Sequence, residues 1–124
     1  MATGLENLKI YQMAEEAELN VYKLTTKYPA DEKYRSVDQL RRSSASVTNN
    51  IAEAYNKKSI KDKIRILIDI VKCEAEETKR NLIVCSKKGF CVDESLEISE
   101  KYTSIIKATS GYIKFLKTYE LKNL

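Results

Sequence analysis

Four stretches of this chain repeat apolar residues at alternating spacings of three and four, which is the period of one buried helical face. The first runs through Ile10, Ala14, Ala17, Val21, Leu24 and Tyr28, and predicts a helix over about Leu8–Lys27. Tyr28-Pro29 ends it, because the residue before proline is pushed out of the helical region. Asp31–Ser36 is then a short connection. The second stripe, Val37, Leu40, Ser44, Val47, Ile51 and Ala54, predicts a helix from about Val37 to Asn56 with Ser36 as N-cap. Its run Ser43-Ser44-Ala45-Ser46 is small throughout, so that a neighbouring helix can approach closely.

A third helix is expected from Ser59, its N-cap, to about Lys88, where Gly89 is the stop. Its stripe is Ile60, Ile64, Leu67, Val71, Ala75, Thr78, Leu82 and Cys85. Asp93 or Ser95 caps the fourth, which carries Ile98, Tyr102, Ile105, Thr109, Tyr112, Leu116 and Tyr119. With short loops, consecutive helices lie antiparallel. The expectation is all-α: one domain over 1–124, an antiparallel up-and-down four-helix bundle.

The composition narrows the chemistry. There is no His, and Cys73, Cys85 and Cys91 show no CxxC spacing, so neither the usual zinc sets nor a Ser-His or Cys-His nucleophile pair can be built. The reading is a protein that is not an enzyme, with reduced thiols, no metal and no cofactor. No apolar run reaches the length of a membrane span and Met1–Asn7 lacks a signal segment, so the expected compartment is the cytoplasm.

Charge is unevenly placed. Lys57–Lys88 holds ten basic and five acidic residues, whereas the rest of the chain holds twelve and thirteen. Lys58, Lys61, Arg65, Lys72 and Lys79 fall on one narrow stripe, with Lys57 just before it. Cations in register suit phosphates, which makes these six the candidate RNA or DNA contacts. Asp62, Asp69 and Glu76 run along the adjoining edge, as they would on a solvated, salt-bridged face. The sequence shows no aromatic–basic platform and no recognised RNA-binding motif.

Two further lines suggest contact with another subunit. Ile66, Ile70, Cys73, Glu77 and Val84 occupy a face of the third helix away from its core stripe. Exposed apolar patches mark interfaces, although a central helix touched on two sides would look the same. Opposite the core of the second helix lie Arg42, Ser46, Asn49 and Glu53. They make either a wet face or a seam in which Arg42 meets a carboxylate such as Glu53 or Glu77.

The segment 39–54, QLRRSSASVTNNIAEA, resembles the signature motif of the bacterial four-helix-bundle proteins encoded by intervening sequences in 23S ribosomal RNA genes. Leu5–Ala14, Tyr28-Pro29 and Ser59 are similar to that family's pattern as well. The family's Pro and Gly are Thr48 and Ala54 here, its following Gly-Arg is Asn56-Lys57, and a small Gly-Ser pair is Cys73-Glu74. The resemblance implies a homopentameric ring without enzymatic activity. It also implies kinship with the basic accessory protein of diversity-generating retroelements, which binds a reverse transcriptase and nucleic acid. Two functions stay open: an oligomeric RNA- or DNA-binding protein, and a structural or protein-interaction scaffold, for example a polymerase accessory protein.

Overall fold

Each predicted stripe finds its partner in a computed structural model that describes residues 4–123. The expectation for Met1–Asn7 falls partly outside that range. After a 3₁₀ turn at Leu5–Asn7, α1 spans Lys9–Thr25 and α2 spans Ser36–Asn56, joined through a second 3₁₀ turn at Ala30–Glu32. The third rod, α3, covers residues 60–87, and α4 covers Val92–Lys122. The described residues form helices and no strand. Each helix packs against its two neighbours in the order α1–α2–α3–α4–α1, and the result is an antiparallel four-helix bundle.

The core is the sum of the stripes. Ala14, Ala17, Val21, Leu40, Val47, Ile51, Val71, Ala75 and Leu82 have no accessible surface. Burying each aliphatic side chain stabilises the fold by roughly 1.5–3 kcal/mol, which is why the period decides the architecture. Small residues set the α2–α3 distance: Ser43 and Thr78 are buried and their hydroxyls meet at 2.7 Å.

Several ends form as expected. The Ser59 hydroxyl accepts the Asp62 amide at 3.1 Å and caps α3. Gly89 takes φ of +89°, while Phe90 and Gly89 donate their amides to the Cys85 and Ser86 carbonyls, the paired bonds of a left-handed C-terminal cap.

Other ends differ. Ser36 is no cap; it lies inside α2, where its hydroxyl donates to the Glu32 carboxylate. Neither Asp93 nor Ser95 caps α4. That helix starts from Cys91 in the left-handed region at φ 43°, and the buried Ser95 hydroxyl instead bonds the Phe90 carbonyl and Tyr28. The last turns of α4 also depart from the expected stripe: Ile113 and Leu116 are buried, Tyr112 is half-buried and Tyr119 is exposed.

The largest difference lies in α3. It is α-helical over Ile60–Ile66, a π-helix over Leu67–Val71, and α-helical again over Lys72–Lys87. A π turn holds one residue more than an α turn, so the faces before and after it are offset by about 100°. Ile66 and Leu67 are therefore both buried, at 3% and 0% exposure.

Candidate nucleic-acid interface

The π turn divides the expected basic stripe. Before it, Lys61 and Arg65 project away from the core, and both are exposed, as are Lys57 and Lys58 in the tight α2–α3 connection. After it, the offset carries Lys72 and Lys79 towards the flanks of the bundle, where both are half-buried. The six candidate cations thus form a cluster of four at one end of the bundle and two separate lysines along its side.

That end is built by local chemistry. Ser59 caps α3 and holds its first turn against the end of α2. Lys63 folds back, donating to the Tyr55 and Ala54 carbonyls at 2.6 and 3.3 Å with its ammonium over the Tyr55 ring, so it closes the C-terminus of α2. Burial lowers its pKa. Arg65 reaches Asp62 at 3.2 Å, and with Ser59 it holds the Asp62 carboxyl below its ordinary pKa. Lys57, Lys58 and Lys61 form no ion pair with any described residue, so their charge is open to a ligand.

The last third of α4 joins the same end, packing against the first turns of α3 and bringing Tyr112 near Tyr55. Residues 53–65 and 104–123 together hold nine basic and three acidic residues. That surplus exceeds the +4 of the whole chain, so the remainder of the chain is slightly acidic.

Here the structure reveals a feature absent from the sequence reading. Tyr112, Phe115 and Tyr119, spaced three and four apart, form a ladder of rings. Tyr112 and Phe115 lie 6.1 Å apart at 20°, and Phe115 and Tyr119 lie 6.3 Å apart at 35°. Phe115 is 59% exposed and Tyr119 51%. Exposed Lys107, Lys114 and Lys122 follow along one flank of the rings and Lys117 lies on the opposite face of the helix, all four without ion pairs among the described residues. This is an aromatic–basic platform. Its signal was the aromatic spacing interleaved with lysines, but two of the three rings also continue the core period.

The candidate subunit-contact residues separate as well. Ile66, expected at the surface, is inside its own bundle, and Ile70 packs against the core. Cys73 is exposed, its thiol 3.8 Å from the Ile68 carbonyl of the π turn. Ile68 and Val84 are the exposed aliphatic residues of this helix, each at 42%. Arg42, Ser46 and Glu77 do come together, within one subunit: with Asp38 and Glu74 they line a groove of about 430 Å³ between α2 and α3. Arg42 pairs with Asp38 at 3.6 Å rather than with Glu53 or Glu77. Burial, then the charge of Glu77, raises the Glu74 pKa. Asn49 and Glu53 are exposed away from this groove.

No cluster of three or more metal-ligating side chains occurs among the described residues, and no described helix is long and apolar enough to cross a membrane. Fold and surface define a small helical-bundle protein with one strongly basic end. Residues 6–111 match the family of 23S rRNA-intervening sequence proteins. The chain belongs to that family. No curated protein matches it.

Proposed function

We propose that this protein is a non-enzymatic nucleic-acid-binding protein that works as an oligomer, and that its basic bundle end holds phosphates. The carrying observation is the grouping of Lys57, Lys58, Lys61 and Arg65, all exposed, beside the lysines of α4. Lys72 and Lys79 play a lesser part in this reading than the sequence suggested, because the π turn moves them to the flanks. Each lysine neutralising a phosphate releases a counterion, so affinity falls steeply with salt. A ring of identical subunits would repeat the basic end around an axis and strengthen its field.

The test is fluorescence anisotropy with labelled RNA and DNA across a salt series. Changing Lys57, Lys58 and Lys61 together to Glu should weaken binding across unrelated sequences. It should also flatten the slope of log K against log salt by about 2 to 3, at roughly 0.7–0.9 for each phosphate no longer neutralised. An unaltered slope, or no binding by wild type at low salt, refutes the proposal.

One observation favours a second reading, a protein-interaction scaffold such as a polymerase accessory protein. Ile68 and Val84 are exposed on the outer side of α3, and apolar surface of this kind suits another protein chain. Binding through it would be nearly insensitive to salt, which separates the two readings in the same experiment.

A further inference from the structure

The aromatic ladder of α4 does not serve the bundle. The core side of the same turns is already filled by Ile113 and Leu116, and more than half of the Phe115 surface faces water. The ladder starts at Tyr112, the residue after the family match ends. It stands clear of α1 for a geometric reason. Lys101 meets Glu16 and Asn20 of α1, and Met13 lies by Ser104 and Ile105. At 1.5 Å per residue in antiparallel helices, Lys9 is then level with about residue 108. The rings beyond it have no α1 turn to cover them.

Charge complementarity states what kind of partner fits. The first turns of α4, residues 92–103, hold four acidic residues and one lysine, whereas residues 104–123 hold four lysines and one acid. Three rings in a row with cations along one flank match a polyanion that also presents flat, apolar faces. Single-stranded nucleic acid has both properties: phosphates for the lysines and unpaired bases for the rings. A duplex offers the phosphates but keeps its bases stacked on one another. Ring-to-ring contact pre-orders the ladder, which lowers the entropy lost on binding.

We infer that Tyr112, Phe115 and Tyr119 form a base-stacking platform that makes this protein prefer single-stranded over duplex nucleic acid. The inference rests on the nucleic-acid reading above and adds the class of ligand and the residues that select it. Lys122 and Lys114, on the flank of the platform, hold the backbone beside it, while Lys57, Lys58 and Lys61 extend the phosphate track around the bundle end.

The experiment compares the full chain with strands of about 16 nucleotides, the upper end of single-fold site sizes: single-stranded RNA, single-stranded DNA and the corresponding duplexes. Wild type should bind both single strands more tightly than the duplexes. Phe115→Leu keeps apolar bulk but removes the π face, and Tyr119→Ala removes a ring. Each should weaken single-strand binding by about tenfold and leave duplex binding unchanged, whereas Lys61→Glu should weaken both. Because the chain has no Trp, a Phe115→Trp variant reports stacking directly, through quenching of its fluorescence by the single strand. Equal single-strand binding by wild type and the ladder variants overturns this inference and leaves the electrostatic proposal standing. Absence of binding to every nucleic acid at low salt overturns both. A change of assembly mass in the Phe115→Leu or Tyr119→Ala protein, seen by light scattering, overturns it in favour of a contact between copies of the chain.

Discussion

Ile66 and Ile68 are two residues apart and chemically identical, yet truncation to Ala should separate them sharply. Ile66 retains 3% of its surface in the subunit and Ile68 retains 42%. Ile66→Ala removes three buried carbons next to Leu67 and Val71 and leaves a cavity that a packed bundle only partly fills. Such core truncations cost about 2–5 kcal/mol. For a chain of this length, 3 kcal/mol lowers the melting temperature by roughly 10 °C. Ile68→Ala removes packing on one side only and should cost below about 1 kcal/mol, within the usual range of surface changes. Urea denaturation followed by circular dichroism measures both. The concentration dependence of the midpoint shows whether Ile68 contributes through an assembled form instead. If Ile66→Ala is no more destabilising than Ile68→Ala, α3 runs as an uninterrupted α-helix, and the division of the basic stripe fails with it.

Other side chains give shorter predictions. Thr78→Val removes one partner of the buried Ser43–Thr78 hydroxyl pair and should cost about 1–2 kcal/mol in chemical denaturation. Double replacement by Ala and Val should cost less than the two single changes summed. Glu32 and Glu74 should respond to pH with opposite signs. The Ser36 hydroxyl, then Lys88 and Arg35, lower the Glu32 pKa, so its stabilisation holds above the ordinary carboxylate range and is lost as pH falls through its folded value. Burial raises that of Glu74, so its charged form opposes folding once pH rises through the raised value. Thermal melts should accordingly show Glu32→Gln less stable and Glu74→Gln more stable than wild type at neutral pH, with both differences vanishing in acid. Finally, Ile68→Asp should lower the mass seen by light scattering if the outer side of α3 joins subunits, because a buried unpaired carboxylate is expensive; an unchanged oligomeric mass refutes that contact.

The architecture was legible because period is a strong signal: most residues of the four stripes are buried, as their three-four spacing requires. The Gly89 stop and the Ser59 cap were legible for a related reason, since each rests on a local backbone need that one residue type meets. Ser36 and Ser95 have the same capping chemistry available, but tertiary partners, Glu32 in one case and Tyr28 with Phe90 in the other, claim their hydroxyls. The π turn was illegible because a period reading assumes a uniform step, and nothing in Leu67–Val71 announces an extra residue. One missed offset misplaced Ile66, Ile70, Lys72 and Lys79 together. The ladder on α4 was hidden for another reason: Tyr112 and Tyr119 fit the core period, and only the end of α1 leaves their side of the helix uncovered while Ile113 and Leu116 stay in the core.

The π turn also bears on where this chain can change length. Two faces that an ordinary helix would join with one residue fewer are joined here through Leu67–Val71. Deleting the exposed Asp69 would convert the turn to an α turn and leave Ile66 and Val71 facing inward on either side. The same deletion in α1, α2 or the later part of α3 would swing everything beyond it by about 100° and present the core face to water. Evolution by single-codon loss is thus open at this one turn and closed along the rest of the rods, and relatives that differ by a residue in the third helix are expected to differ there.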